Sequence, residues 1–166
     1  MLIEVQVLGP LRVLVDGRAV ELGPERRRTV LAALTIEPGR VVSLDTLADR
    51  VWDGSPPPNA TATVHAYVSR LRGSLRTFDR DGTEVPPPLV TQAPGYRLAL
   101  PADAFDAHRL SELLAQARAA HATGDGTTTS RLARAALDLW RDDAYVDITA
   151  EFARDEARRQ GPASRA

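Results

Sequence analysis

The fold is decided by one stretch of the chain, residues 59–76, with the sequence NATATVHAYVSRLRGSLR. At about 100° per residue, a helix over this stretch gathers on one narrow arc the apolar side chains of Val64, Val68, Leu71 and Leu75. The opposite face carries small residues in its N-terminal half and arginines towards its C-terminal end, and the stretch contains no acidic residue. Because small side chains permit close approach to a DNA groove and cations meet phosphates, the pattern favours a DNA-recognition helix.

The residues best suited to reading bases lie on that outer face. Arg70 can pair bidentately with guanine and Ser69 projects beside it, so both are predicted to reach base edges. His65 lies on the same face and is either a base-edge donor or an exposed side chain without a role. No second histidine or carboxylate stands at ligand spacing from it, so metal binding is not expected.

The other polar residues of the stretch are assigned to the DNA backbone. Arg72 and Arg76 lie on the shoulder and at the C-terminal end of the helix, where phosphate contact is expected rather than base reading. Thr61 and Thr63, near the helix start, either contact phosphate or satisfy local backbone groups. The competing interpretation is an ordinary solvated helix, although such helices normally intersperse acidic residues that form i,i+4 pairs with the basic ones.

Composition limits the classes of function. The 166 residues carry a formal net charge of −1, so any basic surface must be local. All 21 basic residues are arginine and there is no cysteine, which excludes disulfides, thiolate catalysis and sulfur-ligated zinc. The histidines His65, His108 and His121 are scattered, and there is neither a Gly-rich phosphate loop nor a nucleophile elbow. We therefore expect no enzyme, no metal and no cofactor.

The hydropathy of the chain gives no sign of a membrane partner. No segment approaches the length of a membrane span, and Glu4 stands where a signal peptide would be basic. A cytoplasmic location is expected.

The segments before residue 59 predict a scaffold that begins with a small antiparallel sheet. Strands are expected at residues 2–8 and 11–15, and the turn Asp16-Gly17 should bring residues 19–22 back as a third strand.

Two helices should follow this sheet and complete a helix-turn-helix with an extended turn. The first opens after Gly23-Pro24 and stops at Pro38-Gly39, and the second is short and has Ser43 as its N-cap. Residues 41–42 between them are predicted to be a brief extended link. After a stiff exposed loop at Asp53–Pro58, Asn59 is predicted to cap the long helix.

The start of the first helix carries an unusual run of cations, Arg26, Arg27 and Arg28. Positive charge at a helix N-terminus opposes the macrodipole, which suggests an anionic partner such as DNA for Arg26 and Arg27. Solvated arginines are an equally good explanation.

A hairpin after the long helix would supply the wing of a winged helix. Residues 89–92 and 96–100 are predicted to be its strands, after a polar and Pro-rich connection at residues 79–88. Gln92 and Arg97 lie in this hairpin, and Arg97 is expected either to contact phosphate or to form a surface ion pair.

Beyond Pro101 the sequence is Ala-rich and without strand signals. Three helices are predicted, the first with Leu110, Leu113, Leu114 and Ala117 inward, the second over residues 127–141, and the third starting after Asp147. Helix pairs joined by short Gly turns resemble tetratricopeptide hairpins. Residues 161–166 are expected to be a frayed tail.

The predicted fold is therefore an α+β winged helix-turn-helix over residues 1–100, made of an N-terminal antiparallel sheet, three helices and a C-terminal hairpin wing. Residues 101–166 are predicted to be an all-α, tetratricopeptide-like segment.

Five short motifs in register make the chain resemble the Streptomyces antibiotic regulatory protein family, transcription activators with an OmpR/PhoB-type winged helix. The motifs are Leu8–Leu11 (LGPL), Val15–Arg18 (VDGR), Pro38–Ser43 (PGRVVS), Tyr67–Arg72 (YVSRLR) and Pro94–Leu98 (PGYRL). Residues 137–141 (LDLWR) similarly resemble the opening of the activation domain of that family. The resemblance extends over roughly residues 2–160.

The resemblance implies a role in transcription. The helix at 59–76 would enter the major groove at direct repeats of double-stranded DNA, two protomers would bind in tandem, and RNA polymerase holoenzyme would be recruited. The loop Asp53–Pro58 is the candidate polymerase contact, and a biosynthetic gene cluster is the expected target.

Two features depart from the family pattern. The wing usually carries arginine where this chain has Gln92, which weakens the minor-groove charge but leaves an amide able to bond base acceptors. The segment from residue 101 also looks shorter than a full activation domain. The competing hypothesis is a protein-interaction module with a degenerate winged helix and a helical partner-binding segment.

Overall fold

The computed structural model describes residues 2–161, and all of the predicted tail at 161–166 except its first residue lies outside them. It begins with three antiparallel strands, β1 (Ile3–Gln6), β2 (Arg12–Val15) and β3 (Arg18–Ala19). Ile3 pairs with Val15, and the β2–β3 turn holds Asp16 and Gly17 at positive φ. The predicted sheet is thus present, but its third strand is two residues long and lies earlier than the predicted residues 19–22.

Three helices form the helix-turn-helix unit: α1 (Glu25–Thr35), α2 (Leu44–Val51) and α3 (Ala60–Ser74). Ser43 caps α2, since its hydroxyl accepts the backbone N–H of Thr46 at 3.1 Å. Asn59 occupies the cap position of α3, but its side chain makes no capping hydrogen bond, so that part of the prediction is wrong. The helix ends two residues before Arg76, because the chain turns there into a strand.

The wing is part of a three-stranded sheet in the order β4-β8-β7, made of β4 (Val41–Ser43), β7 (Leu89–Gln92) and β8 (Gly95–Leu98). The segment at 41–42, predicted to be a link, is therefore a strand, whose pairing partner is about 50 residues away in the chain. The connection from α3 to the wing holds a further hairpin of β5 (Thr77–Phe78) and β6 (Glu84–Val85), which the sequence did not predict.

The C-terminal part is helical, as predicted, with α4 (Asp106–Ala122), α5 (Gly126–Asp138) and α6 (Glu151–Gln160) after a 3-10 turn at Ala102–Ala104. Helices α4 and α5 pack against each other as a hairpin around buried Ala117, Leu132 and Ala136. Leu114 was expected to face inward and is instead 37% exposed.

One hydrophobic core joins the winged helix to the helical segment. Phe105 and Ile148 from the C-terminal part are buried in the same cluster as Leu8 and Leu31 from the N-terminal part. Hydrogen bonds reinforce the junction: Tyr145 shares its buried hydroxyl with the Thr35 hydroxyl at 2.8 Å.

The N-terminal sheet is tied to α4 by a buried carboxylate. Asp106 accepts the backbone N–H groups of Val7 and Leu8 at 2.9–3.1 Å. Burial raises the pKa of Asp106 above its ordinary value, against the opposing effect of these backbone donors and of Arg141.

None of the helices within residues 2–161 combines the length and apolar character needed to cross a bilayer.

Candidate nucleic-acid interface

Helix α3 buries one face and exposes the other, as its apolar periodicity predicts. The buried face holds Val64, Val68 and Leu71, each fully covered by the rest of the fold. The exposed face is continuous over four turns and consists of Thr61, Ala62, His65, Ala66, Ser69, Arg70 and Gly73. This surface, hereafter the outer face of α3, presents Arg70, His65 and small side chains without a carboxylate.

Among the residues predicted to contact bases, Arg70 and Ser69 make the fewest contacts with the rest of the protein. Both are exposed, and neither side chain makes a hydrogen bond or ion pair to another group within residues 2–161. Their side chains are therefore available to a ligand at no cost in broken contacts. The two residues are adjacent in the C-terminal half of the outer face.

Arg72 connects α3 to the wing. Its Nε donates to the backbone oxygen of Leu89 at 2.8 Å, and its Nη2 donates to Thr91 Oγ1 at 2.6 Å. Its guanidinium also stacks over the ring of Tyr96, 5.4 Å from the ring centroid. The side chain predicted as a phosphate contact thus holds the wing hairpin against the helix.

Tyr96 on β8 is the second link between wing and helix. Its hydroxyl is hydrogen-bonded to Nδ1 of His65, and the two rings meet edge to face with centroids 5.7 Å apart. His65 is exposed yet engaged on one ring nitrogen. Because Tyr96 is buried and Arg72 covers its ring, the wing and the outer face of α3 form one connected surface.

The two predicted wing residues pair with each other. Arg97 Nε donates to Gln92 Oε1 at 3.0 Å across the β7–β8 hairpin. Gln92 is exposed, so its amide nitrogen remains at the surface beside a half-exposed guanidinium. Gln92, which stands where the family pattern has arginine, therefore holds Arg97 in place at the wing.

Gly95 fixes the turn end of the wing hairpin against β4. A side chain there would collide with the backbone oxygen of Val42 and lie 2.8 Å from the Cα of Ser43, so only glycine permits the close pairing of β8 with β4. The position of the wing relative to β4 and the start of α2 is therefore set by backbone contact.

Arg76 is already paired with an acid. Its Nε and Nη2 donate to the two carboxylate oxygens of Glu84 at 2.9 and 3.1 Å, and its guanidinium lies 5.9 Å from the Phe78 ring centroid. Hydrogen bonding to Glu84 raises the pKa of Arg76 above its ordinary value. Glu84 lies in the β5–β6 hairpin, so the acid that competes for this predicted phosphate contact comes from an element the sequence did not predict.

The threonines near the start of α3 differ from each other. Thr63 Oγ1 donates to the backbone oxygen of Asn59 at 3.1 Å, which is the local backbone role considered for it. Thr61 is exposed and makes no such bond. Thr61 is thus the better placed of the two to meet a ligand.

The arginines at the start of α1 lie among protein contacts. Arg26 stacks over Trp52 at 5.4 Å, and Arg27 packs beside Gly23. Arg28 donates to the Leu11 carbonyl and pairs with Asp147 in the segment before α6. Arg28 thus meets its anionic partner within the chain.

The loop between α2 and α3 touches the helical segment. Asp53, at positive φ, accepts the backbone N–H of Glu151 at 2.9 Å and so caps the N-terminus of α6. The prolines that follow, Pro56 and Pro58, are exposed. The stiff exposed loop predicted at 53–58 is present, with its first residue anchored.

Sequence reasoning missed two residues of this surface. Tyr96 is part of the PGYRL motif but was not predicted as a site residue, although an aromatic residue on a wing strand facing α3 was a usable signal. Nothing in the sequence indicated the Glu84–Arg76 pair, because the short β5–β6 hairpin that brings the two residues together was not predicted. Within residues 2–161, no three His, Asp or Glu side chains converge as a metal site.

Two family models match successive parts of the chain. Residues 17–98 match the family described as "Transcriptional regulatory protein, C terminal". Residues 105–162 match the "Bacterial transcriptional activator domain".

Curated relatives are regulators from actinobacteria. The chain is 39% identical over 145 residues to the transcriptional regulatory protein EmbR of Mycobacterium tuberculosis, covering 86% of this chain and 36% of that protein. It is 34% identical to the regulatory protein AfsR of Streptomyces coelicolor, covering 93% and 15%. It is 30% identical to the regulatory protein DnrI of Streptomyces peucetius, covering 95% and 61%. The chain thus spans about a third of the length of EmbR.

A solved structure shares the whole arrangement. Mycobacterium tuberculosis EmbR in complex with low affinity phosphopeptide matches with a TM-score of 0.85 and 34% identity, over 95% of this chain and 41% of that chain. The two family models, the relatives and the shared fold all agree with the motifs of the sequence. The chain belongs to the Streptomyces antibiotic regulatory protein family of transcription activators.

Proposed function

We propose that this chain binds duplex DNA in a sequence-specific manner through α3 and the wing, and that it thereby activates transcription of a biosynthetic gene cluster. The observation that carries the proposal is the outer face of α3. It is exposed, free of acidic residues and held against the wing by Arg72. A helix with this surface fits the major groove, while the hairpin beside it follows the adjacent backbone or minor groove.

The geometry divides the candidate residues into roles. Ser69, Arg70 and His65 face outward at the centre of α3 and are assigned to bases. Thr61 and Thr63 lie at the helix start and are assigned to the phosphates that flank the groove.

Arg72 and Arg76 are proposed as phosphate contacts that also hold partners within the protein. Each would have to share its guanidinium with a partner that it already holds, the wing for Arg72 and Glu84 for Arg76. Gln92 and Arg97 form the wing contact as a pair.

Arg26 and Arg27 are assigned at most to flanking phosphates. Arg26 already covers Trp52, and Arg27 packs against Gly23, so both are held by neighbouring groups of the protein.

The remaining assignments follow the family and extend to the assembly. Residues 1–100 would be the DNA-binding domain and residues 101–166 the start of the activation domain. Two protomers would bind direct repeats in tandem. The loop Asp53–Pro58 would contact RNA polymerase holoenzyme, and the exposure of Pro56 and Pro58 supports that role. Such a regulator acts in the cytoplasm, where the bacterial chromosome lies.

Selection of bound duplexes from a random DNA pool tests the proposal, because it yields the recognised sequence, the repeat spacing and the number of protomers together. The recovered duplex and a scrambled duplex are then titrated across a salt series. We expect tighter binding of the recovered duplex, and affinity for both should fall linearly on a log–log plot as salt rises. Equal binding of the two duplexes would refute sequence specificity, and absence of binding would favour the protein-interaction module.

A further inference from the structure

Tyr96 touches two candidate DNA contacts at once. Only 4% of its surface is exposed, its ring is covered by the guanidinium of Arg72, and its hydroxyl bonds Nδ1 of His65. His65 and Arg72 are seven residues apart on α3, which is two helical turns. Tyr96 therefore links the wing to the orientation of the His65 and Arg72 side chains on α3.

The chemistry of this contact fixes the proton of His65. Neutral imidazole has one N–H donor and one acceptor nitrogen. A phenol hydroxyl is a stronger donor than the N–H of neutral imidazole, and a guanidinium over the ring draws electron density from it and strengthens that donor further. These donor strengths favour the arrangement in which the Tyr96 hydroxyl donates to Nδ1 of His65 and the imidazole proton is on Nε2.

The other ring nitrogen is open to a ligand. Nε2 of His65 makes no hydrogen bond to any group in the described part of the chain, and the neighbouring side chains on its face, Ala62 and Ala66, are methyl groups. Nothing on the helix surface therefore obstructs an approach to this nitrogen. On the same row, one turn further on, lies Ser69.

We propose that Tyr96 is a positioning residue that holds His65 in the tautomer with the proton on Nε2, so that His65 offers a hydrogen-bond donor to the major groove. A donor at this point suits the acceptors N7 and O6 of guanine, N7 of adenine or O4 of thymine. It disfavours cytosine, whose major-groove edge presents only an amino donor. The assignment of His65 to the groove rests on the proposed function, whereas the tautomer does not.

The tautomer is measured first, without DNA. Nitrogen-15 spectra of the imidazole side chains at about pH 8, where imidazole is neutral, distinguish a protonated Nε2 from a protonated Nδ1. We expect His65 of the full chain to show Nε2–H, and Tyr96→Phe to convert it to a mixture of the two tautomers. Tyr67→Phe is the matched control, because it removes a hydroxyl from α3 itself and should leave the His65 signals unchanged. A wild-type signal from Nδ1–H, or a His65 signal in Tyr96→Phe that is unchanged from wild type, would overturn the proposal.

DNA binding is measured second, with the duplex recovered by selection. Tyr96→Phe should weaken binding by about 3–10-fold, the usual effect of one misplaced hydrogen bond, and should reduce discrimination against cytosine at one position. In a His65→Ala background, Tyr96→Phe should have no further effect, because Tyr96 acts through His65. An equal loss in both backgrounds would show that Tyr96 only supports the wing. The expected tautomer together with no DNA binding would refute the proposed function instead.

Discussion

Replacement of Arg72 by lysine separates the two roles that this residue has been given. A phosphate contact needs only a positive charge, so lysine would largely preserve it. Holding the wing needs the planar fork of the guanidinium, which donates to Leu89 and Thr91 and stacks on Tyr96, and lysine cannot reproduce that geometry. Arg72→Lys therefore tests whether the wing is attached to α3 as the structure indicates.

The expected cost follows from the contacts that are lost. A hydrogen bond from a charged donor contributes about 1.5–3 kcal/mol when buried, and a cation–π contact about 0.5–1 kcal/mol at an exposed site. Arg72 is only half-buried, so solvent screening reduces both contributions. We expect Arg72→Lys to lower the free energy of unfolding by about 1–3 kcal/mol. Arg70→Lys, on the same helix without such contacts, should stay within about 0.5 kcal/mol of wild type.

Urea unfolding followed by circular dichroism gives these free energies, and it should be combined with binding to the selected duplex at two salt concentrations. Loss of stability in Arg72→Lys with no such loss in Arg70→Lys would support the attachment of the wing. If Arg72→Lys is as stable as wild type, the wing does not depend on this side chain, and the connected surface described above is wrong.

Three further substitutions test other parts of the account. Gly95→Ala should cost more than about 3 kcal/mol of stability in thermal unfolding, because the new Cβ meets the backbone oxygen of Val42 and a backbone atom cannot yield as a side chain can. Glu84→Gln should release Arg76 and strengthen binding to scrambled DNA by about 2–5-fold in low-salt titrations, whereas unchanged affinity would show that Arg76 does not reach the phosphates. Asp106→Ala should cost about 2–4 kcal/mol in urea unfolding, since two buried backbone N–H groups lose their acceptor. Burial raises the pKa of Asp106 from 3.8, so the folded state binds this proton more tightly than the unfolded state, and its contribution to stability should decline as the pH rises above about 4.

The parts of the fold that could be predicted are those with local periodicity. The apolar arc of α3, the Ser43 cap and the two wing strands each depend on residues that are near each other in the sequence. Each was found close to its predicted place. The parts that were missed depend on distant partners. Residues 41–43 become a strand only because Gly95–Arg97 pairs with them, and the β5–β6 hairpin is too short for a propensity signal.

The candidate site shows the same division. Its exposed cations could be located from helix geometry, but their partners could not, because Tyr96 and Glu84 reach α3 through tertiary structure. Arg28 illustrates the point most clearly: a cation placed against the helix dipole suggested an external anion, and the anion is Asp147 of the same chain. The position of Arg28 in the first turn of α1 indicates an anionic partner, but helix electrostatics alone does not identify that partner as Asp147.

The shared core has a consequence for how the two segments act together. Asp106 at the start of α4 and Tyr145 in the segment before α6 are hydrogen-bonded to the N-terminal part, and Asp53 joins the α2–α3 loop to α6. The helical segment is therefore packed directly behind the DNA-binding unit. A loop that contacts RNA polymerase would be held in place by that segment.

The central claim is that the outer face of α3 reads a DNA sequence, and Arg70 is the arginine of that face. The most direct test measures the affinity of wild type, Arg70→Ala and the control Arg134→Ala on α5 for the selected duplex and for duplexes with each of its base pairs replaced in turn. We predict that Arg70→Ala binds the selected duplex about 5–150-fold more weakly and no longer discriminates at one base pair, while Arg134→Ala matches wild type. Full discrimination at every position by Arg70→Ala would contradict the claim.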